Sequence, residues 1–339
     1  MTDSQPLAPR LVDGHGRVHR DLRISLTDHC NLRCSYCMPA EGVAWIARDT
    51  LLTPAELMRL VRVGVNLGVT EVRLTGGEPL LRPDVVEIVA RIAALTRPDG
   101  GHPEVSMTTN GIGLARLAEP LFDAGLKRVN VSLDTLRPDR FLALTRRDRL
   151  TDVLAGLDAA VDAGLAPIKV NSLLMRGVND DEAVELVRWA VGEGHELRFI
   201  EHMPLDAGHT WKRSEMITGA EILAKLGEAF ELTALPGRGA APAERWLVDG
   251  GPGTVGVIAS VTMPFCGACD RLRLTADGQL RNCLFARDES DLRTPLREGA
   301  TDDEIAEIIV ASLAAKLPGH GINEPGFLQP RRPMSAIGG

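Results

Sequence analysis

At residues 30–37 the chain reads Cys30-Asn31-Leu32-Arg33-Cys34-Ser35-Tyr36-Cys37, which places three thiols in eight positions directly after an apolar run at 22–26. The apolar run predicts a β-strand, and the loop that follows can turn its sulfurs toward one point. Thiolates are the ligands that iron and iron–sulfur clusters select. Three thiolates leave one iron of a four-iron cube without a protein ligand, so the loop predicts a cluster that binds a further molecule.

Structural roles for the same cysteines are the alternatives. A zinc site normally has four protein ligands, and the nearest fourth candidate, His29, should point away from Cys30 in an extended segment. A disulfide framework is typical of secreted proteins, and the sequence shows no secretory signal. A reactive cluster is therefore favoured over a zinc site, a disulfide or buried structural thiols.

The Cys-x3-Cys-x2-Cys spacing, with the aromatic Tyr36 before the third cysteine, resembles the signature of the radical S-adenosylmethionine superfamily. The resemblance implies that Cys30, Cys34 and Cys37 hold a [4Fe–4S] cluster. It also implies that the fourth iron chelates the amino and carboxylate groups of S-adenosylmethionine.

Bulk composition narrows the classes of function. The chain has 339 residues, of which 44% are apolar and 25% charged, and its net charge is −8. An acidic protein is a poor generic binder of nucleic acid, although a local basic pocket for an anion stays open. No apolar run approaches the length that spans a membrane, and with no secretory signal we expect a cytoplasmic protein with reduced cysteines.

A six-fold alternation of strand-like and helix-like segments follows a polar arm at 1–20, which we expect to be loose. The predicted strands are 22–26, 71–75, 104–108, 128–133, 168–174 and 196–200. Helix starts are indicated by the capping box Thr53-Pro54-Ala55-Glu56, by Pro83-Asp84 and by Asn179-Asp180-Asp181-Glu182, with further helices near 150–163, 218–229 and 302–316.

This alternation predicts an α/β fold with a parallel sheet, either an open doubly wound sheet or a partial (β/α)6 barrel. The resemblance favours the partial TIM-like barrel. Ligands bind at the carboxyl ends of the strands in both architectures, which is where the three cysteines lie. The pattern changes after residue 230, so we expect a barrel domain at 1–235 and a smaller C-terminal extension at 236–339.

A glycine-rich turn follows the second strand as Thr75-Gly76-Gly77-Glu78-Pro79. Two glycines allow a ligand to approach the backbone closely, with N–H groups and Glu78 available to hold it. An ordinary βα turn is the alternative. The superfamily resemblance implies that Tyr36, Gly77, Glu78, Ser132 and Met203 contact S-adenosylmethionine.

The remaining three cysteines form a second group, Cys266-x2-Cys269-x13-Cys283. A zinc knuckle would lack its fourth thiol, so a second incomplete cluster is the favoured interpretation. Arg271 and Arg273 flank Leu272 beside this group. On a strand they point the same way, and their planar forks suit phosphate.

Both cysteine groups, the Arg271-Leu272-Arg273 segment and the terminal Gly338-Gly339 together resemble the GTP 3′,8-cyclase family of molybdenum cofactor biosynthesis. The resemblance implies two [4Fe–4S] clusters and S-adenosylmethionine as cofactors, and GTP as substrate. It implies catalytic roles for the first three cysteines, Arg271, Arg273, Gly338 and Gly339. The GTP contacts that it implies are Arg23, Arg73, Thr108, Lys169, Arg271, Leu272 and Arg273.

The implied reaction begins when a reduced first cluster cleaves S-adenosylmethionine and the 5′-deoxyadenosyl radical removes a hydrogen from ribose C3′, which then bonds to guanine C8. The resemblance further implies an external electron donor, a following enzyme that takes the cyclic product, and a homodimer. The alternatives are a peptide-modifying enzyme of the same superfamily, which usually carries more C-terminal cysteines, and a non-enzymatic iron–sulfur or zinc protein.

Overall fold

The computed structural model describes residues 11–338, in which strands and helices alternate as in an α/β fold. The strands are β1 Asp21–Ser25, β2 Glu71–Thr75, β3 Glu104–Thr109, β4 Leu126–Ser132, β5 Lys169–Leu173, β6 Glu196–Ile200, β7 Leu232–Leu235, β8 Glu244–Val248, β9 Thr254–Ile258, β10 Arg271–Leu274, β11 Gln279–Arg281 and β12 Ser290–Asp291. The helices are α1 Pro54–Leu67, α2 Val85–Ala93, α3 Leu114–Asp123, α4 Pro138–Thr145, α5 Leu150–Asp162, α6 Ala183–Gly192, α7 Gly219–Gly227, α8 Arg293–Arg297, α9 Asp302–Ala314 and α10 Met334–Ile337. Within residues 11–338, no helix is long and apolar enough to cross a membrane.

All twelve of these strands belong to one sheet, in the order β12-β11-β10-β1-β2-β3-β4-β5-β6-β9-β8-β7. Strands β1 to β6 are parallel neighbours joined by crossover helices, and the two edge strands of this set do not pair with each other in the described chain. The sheet is therefore an open barrel. This confirms the predicted α/β fold with a partial (β/α)6 barrel, and each of the six expected strands ends within two residues of its prediction.

Strands from the second half of the chain extend both edges of the barrel. β10 pairs parallel with β1, and β9 pairs parallel with β6. The antiparallel strands β11 and β12 continue one edge, and β8 and β7 continue the other. The C-terminal segment thus shares the sheet of the barrel, while the expected domain boundary at 235/236 stays a prediction.

The N-terminal arm is the clearest departure from the sequence analysis. Residues 11–20 are folded rather than loose: Val12 and Val18 form a β-bridge, and Leu11 is 1% exposed. Asp13, Arg17 and His19 are buried as well. The polar side chains suggested a solvated arm, but they are buried because they bond to one another and to the rest of the chain. Residues 1–10 of the expected arm lie outside the described residues.

Only some of the predicted helix-start signals form capping hydrogen bonds in the structure. The capping box at α1 is confirmed, because Thr53 Oγ1 accepts from the N–H of Glu56 at 3.2 Å and the Glu56 carboxylate accepts from the N–H of Thr53 at 2.7 Å. Asp84 precedes α2 but makes no side-chain capping bond. Asn179 is not a cap either: its amide donates to the carbonyls of Asp134 and Leu173, each at 2.8 Å. Asn179 therefore ties together the carboxyl ends of β4 and β5.

The core lies between the sheet and the surrounding helices. Along β2, Val72 and Leu74 are completely buried on the outer face, where the helices pack. The residues between them, such as Arg73, point into the barrel. This alternation of period two makes the outer face of the barrel apolar and its lumen polar.

Candidate active site

The lumen of the barrel contains a cavity of about 450 Å³ that is strongly cationic. The inward positions of successive strands supply most of its wall. Seven basic side chains line it against four carboxylates, and these are Arg23, Arg73, Arg128, Lys169, Arg198, Arg271 and Arg273 against Asp21, Glu71, Asp134 and Asp270. A low-dielectric pocket with this balance attracts anions although the whole protein is acidic.

The first cysteine group lies in the loop that follows β1, at the carboxyl ends of the parallel strands as expected. Cys30, Cys34 and Cys37 are free thiols that line a second cavity of about 160 Å³. The loop is held by its own backbone, since the N–H of Cys37 donates to the carbonyl of Cys34 at 2.9 Å. His29 stacks on Trp45 with ring centroids 4.7 Å apart, and its half-exposed side chain does not line this cavity.

Burial controls the protonation of these thiols. It raises the pKa of Cys37 to about 12 and raises that of Cys34 well above the ordinary range, with further increases from neighbouring thiolates. Three thiolates close together are therefore unfavourable without a compensating cation. Iron–sulfur clusters provide that charge and demand thiolate ligands, so the donor set and its burial fit such a cluster.

The glycine turn after β2 packs against the cysteine loop. An added Cβ on Gly77 would lie 2.3 Å from the carbonyl oxygen of His29, and one on Gly76, where φ is +145°, would lie 2.4 Å from that of Thr27. The N–H of Gly77 donates to Thr27 at 2.7 Å and that of Glu78 donates to His29 at 2.8 Å. The glycines thus permit contact with protein backbone, and these two N–H groups are not available to a ligand as the sequence analysis expected.

Glu78 is hydrogen-bonded within the protein, and its expected contact with S-adenosylmethionine stays a prediction. Its carboxylate is completely buried and accepts from Thr109 Oγ1, the N–H of Asn110 and the N–H of Leu80, at 2.7, 2.7 and 3.0 Å. Burial raises its pKa to about 7 against these hydrogen bonds. Glu78 does not line either cavity described above and braces the ends of β2 and β3, whereas Gly77 does line the smaller cavity.

Tyr36, Ser132 and Met203, the other expected S-adenosylmethionine contacts, all reach a cavity wall. Tyr36 and Ser132 line both cavities, and Met203 lines the larger one. Tyr36 Oη donates to Asp134 at 2.6 Å, and burial raises the pKa of Asp134 to about 6. The two cavities are therefore contiguous, and Tyr36 lies where they join.

The second cysteine group lies at the other end of the lumen. Cys266 and Cys269 directly precede β10, which runs parallel to β1, so they lie at the amino ends of the barrel strands. Cys283 follows β11, which is antiparallel to β10, and reaches the same end. All three line the larger cavity as free thiols. The rule that ligands bind at carboxyl ends therefore fits the first group of cysteines but not the second.

Cations surround the second group. Burial by itself would raise the pKa of Cys269, but the charges of Arg271 and Lys316 outweigh it and lower that pKa. Lys316 Nζ lies 3.8 Å from Cys269 Sγ. A thiolate-rich, partly buried site with cationic neighbours fits an anionic iron–sulfur cluster.

The wall between the two cysteine groups contains the expected GTP contacts. Arg23 is in register with Arg73 on one side and Arg273 on the other, so three guanidinium groups form one row across β10, β1 and β2. Burial lowers the pKa of Arg23 to about 10 and that of Arg273 to about 9. Within the described chain, Arg73 Nε is buried without a hydrogen-bond partner, and the nearest partner of the buried Arg23 Nε is the Asp21 carboxylate at 3.5 Å. Unpaired buried donors are costly, and an anionic ligand would satisfy them.

Thr108, Lys169 and Arg271 line the same cavity, as expected. Leu272 does not: it is 2% exposed and packs in the core, because alternation along β10 points it away from Arg271 and Arg273. The sequence analysis also missed four lumen residues on β4, β5 and β6, which are Arg128, Asn130, Asn171 and Arg198. Their two-residue spacing from Ser132, Lys169 and Ile200 is the signal that could have identified them.

The C-terminal tail enters the barrel. Gly338 is buried, and its carbonyl accepts from Arg273 Nη1 at 2.6 Å. A Cβ on Gly338 would lie 2.9 Å from Thr75 Cγ2, and its φ is +83°. The described part of the tail therefore pairs with Arg273, one of the residues expected to contact GTP. Gly339 lies outside the described residues.

Comparison with known proteins gives two consecutive family matches. The radical SAM superfamily matches residues 24–190, and Molybdenum Cofactor Synthesis C matches residues 195–322. The GTP 3′,8-cyclase of Streptomyces coelicolor is 62% identical, with 97% of this chain and 96% of that protein covered. The chain belongs to the GTP 3′,8-cyclase family.

Two further members of the GTP 3′,8-cyclase family are nearly as similar. The protein of Mycolicibacterium smegmatis is 57% identical over 97% of this chain and 92% of its own length. That of Corynebacterium glutamicum is 54% identical over 97% and 89%. Membership carries the cofactors of the family, S-adenosylmethionine and two [4Fe–4S] clusters.

Solved structures share the fold at low sequence identity. SuiB of Streptococcus suis bound to S-adenosylmethionine has a TM-score of 0.57 and 13% identity, covering 86% of this chain and 69% of that chain. SuiB in a further crystal structure has a TM-score of 0.57 and 14% identity, covering 91% and 68%. These structural similarities support the open α/β barrel of this chain.

Proposed function

We propose that the chain converts GTP to (8S)-3′,8-cyclo-7,8-dihydroguanosine 5′-triphosphate, the first step of molybdenum cofactor biosynthesis. The observation that carries the proposal is one cationic lumen with a group of three free cysteines at each end. A nucleoside triphosphate needs a row of cations, and a radical reaction needs a source of the radical beside the substrate.

The two cysteine groups divide the cofactors. Cys30, Cys34 and Cys37 would hold the cluster that binds S-adenosylmethionine, and Cys266, Cys269 and Cys283 would hold the second. A reduced cluster held by these first three cysteines would supply the one-electron chemistry that cleaves bound S-adenosylmethionine and starts the reaction at C3′ of GTP. Tyr36, Ser132, Met203 and the Gly76–Gly77 turn would shape the S-adenosylmethionine site.

Arg23, Arg73 and Arg273 would hold the triphosphate, because their row presents buried donors into the lumen. Arg271 and Lys169 add charge to the same wall, and Thr108 offers a hydroxyl to the ribose. With its triphosphate and ribose held in this way, the nucleotide would keep one orientation in the lumen. Fixed orientation of this kind can remove several kcal/mol from a barrier, at most about 7–11 kcal/mol.

The finer parts of the proposal concern partners and organisation. We assign the barrel to 1–235 and the second-cluster and GTP-binding unit to 236–339. An external donor must supply the electron, and a following enzyme must take the reactive product; we also propose a homodimer. The six free thiols suit a reducing compartment, so we place the enzyme in the cytoplasm.

The test separates the two cysteine groups under anaerobic conditions with S-adenosylmethionine and GTP. Cys34→Ala should abolish both 5′-deoxyadenosine and cyclised nucleotide. Cys283→Ala should retain 5′-deoxyadenosine formation and lose cyclisation. Ser35→Ala is the matched control, because Ser35 is exposed in the same loop and does not line the smaller cavity. Normal cyclisation by Cys283→Ala would refute the assignment of the second group.

Two outcomes would favour other functions. A peptide-modifying enzyme would form 5′-deoxyadenosine but leave GTP unchanged in every variant. A non-enzymatic iron–sulfur protein would hold iron and sulfide and form no 5′-deoxyadenosine. Quantifying iron, sulfide, 5′-deoxyadenosine and nucleotide from one preparation distinguishes these cases from the proposal.

A further inference from the structure

A buried lysine points at the second cysteine group. Lys316 follows α9 and is 5% exposed. Its Nζ donates to the carbonyl of Arg271 at 3.0 Å and lies 3.8 Å from Cys269 Sγ. Within residues 11–338, no carboxylate lies within ion-pair distance of this ammonium group. Burying a cation without an opposite charge is costly, so the charge needs a partner on the side of the cysteines.

The N-terminal hairpin fixes the segment that carries this lysine. Arg17 Nη2 donates to the carbonyl of Leu317 at 2.8 Å, and Nη1 donates to those of Pro318 at 3.1 Å and Cys266 at 2.7 Å. One guanidinium group therefore joins the chain on both sides of the second site. It clips the residues that follow Lys316 to the backbone of a cysteine in the same group.

Arg17 is itself held in place by a buried carboxylate. Asp13 accepts from Arg17 Nε at 2.5 Å and lies 3.0 Å from His19 Nε2. The side chains of Asp13 and His19 are completely buried. The N-terminal hairpin and the segment after α9 thus both contact the second cysteine group, Arg17 at the carbonyl of Cys266 and Lys316 at the sulfur of Cys269.

We propose that Lys316, held by the Arg17 clip, acts beside Arg271 as a cation on the second cluster and stabilises the reduced state of that cluster. The inference rests on the proposed function, since it needs a cluster on Cys266, Cys269 and Cys283. A cluster bound by three thiolates gains one negative charge on reduction. A fixed positive charge next to a ligand sulfur favours the more negative state, and net charge and hydrogen bonds to sulfur set such potentials.

The experiment measures the reduction potential of the second cluster alone. Cys30, Cys34 and Cys37 are replaced by Ala in the full chain, so that only the second group holds iron. Lys316→Met and Lys316→Arg are made in this parent, together with Lys212→Met as the control for loss of one exposed lysine. Anaerobic redox titration followed by electron paramagnetic resonance gives each midpoint potential, with iron and sulfide measured on the same samples.

Lys316→Met should retain the cluster, and reduction of that cluster should be about tenfold less favourable. This corresponds to a fall in midpoint potential of about 59 mV for a one-electron couple. Lys316→Arg should stay near the parent because it keeps the charge, and Lys212→Met should be unchanged. Loss of iron in Lys316→Met with retention in Lys316→Arg also supports the role of the charge.

Three results would overturn the inference or its basis. An unchanged midpoint in Lys316→Met rejects a charge role. Loss of iron in both variants makes the lysine a packing residue and rejects it equally. If the parent itself holds no iron, the proposed second cluster is rejected. The inference is then rejected as well, and the missing iron in the parent distinguishes this case from the other two.

Discussion

Replacing Gly338 by Ala should undock the C-terminal tail from the lumen. Gly338 has φ of +83°, a conformation that residues with a side chain rarely adopt. The new methyl group would also lie 2.9 Å from Thr75 Cγ2 and 3.2 Å from Ser25 Cβ, both in the wall of the barrel. Both penalties apply only while the tail is docked, so the substitution weakens docking selectively.

The size of the effect follows from these two penalties. The left-handed conformation costs a residue with a Cβ about 1–2 kcal/mol, and forcing a methyl group into a packed site costs about 1–3 kcal/mol. The low ends together give about 2 kcal/mol, which lowers the ratio of docked to undocked tail roughly thirtyfold. The hydrogen bond from Arg273 to the Gly338 carbonyl is lost whenever the tail leaves.

Two measurements report whether the tail is docked and whether docking affects cyclisation. Trypsin should cleave after the exposed Arg331 faster in Gly338→Ala than in the parent, because undocking releases the ion pairs of Arg332 with Asp277 and Glu289, at 2.9 and 3.0 Å. The ratio of cyclised nucleotide to 5′-deoxyadenosine should fall while total 5′-deoxyadenosine is largely retained. Deleting Gly338 and Gly339 should change the product ratio in the same direction.

The matched control is Gly192→Ala at the exposed end of α6, where an added Cβ meets no atom within 4 Å. It should match the parent in both measurements. If Gly338→Ala is cleaved faster but keeps the product ratio of the parent, the docked tail has no role in cyclisation; if its cleavage rate is unchanged, the predicted weakening of docking is wrong.

Two further predictions concern the cations of the lumen. Arg273→Ala should weaken GTP binding roughly ten- to hundredfold with little change in S-adenosylmethionine binding, because a hydrogen bond to a charged group contributes about 1.5–3 kcal/mol. Arg273→Lys should recover only part of the lost affinity. Equal GTP affinity of all three proteins in anaerobic equilibrium dialysis would contradict a phosphate role. Burial, together with Arg198, lowers the pKa of Lys169 to about 8, so the free enzyme loses this charge as pH rises through about 8 and GTP binding should weaken between about pH 7 and pH 9. Lys169→Arg should remove that pH dependence, and a pH profile unchanged by the substitution would contradict it.

Local patterns were sufficient to predict the six central strands and both cysteine groups. Alternating apolar positions and cap residues act within a few positions of the chain, as at Thr53 and Glu56. Four described helices, α3, α4, α8 and α10, were not predicted individually: α3 contains Pro120 in its interior, and α8 and α10 have only five and four residues. Arg23 and Arg73 were expected from the family resemblance, whereas Arg128 and Arg198 were missed although alternation along β4 and β6 places them in the lumen.

Long-range pairing could not be predicted in the same way. The sequences of β9 and β10 do not indicate that these strands join opposite edges of the barrel, because the edge is decided by their pairing with β6 and β1. The N-terminal arm was misjudged for a related reason. Asp13 and Arg17 are polar, and their burial depends on partners as distant as Cys266 and Leu317. The hydrogen bonds of Glu78 to Thr109 and Asn110 could likewise not be inferred from the turn itself.

The parallel register of β10 with β1 explains why one lumen can serve two clusters. The first cysteine group follows β1 and the second precedes β10, so the length of a strand separates them. The five residues of β1 span roughly 13 Å at 3.3 Å per residue. That length leaves room for S-adenosylmethionine at one end and a nucleotide at the other, with the row of Arg23, Arg73 and Arg273 between them. Had β10 been antiparallel, both cysteine groups would lie at the same end, and the substrate could not be held between them.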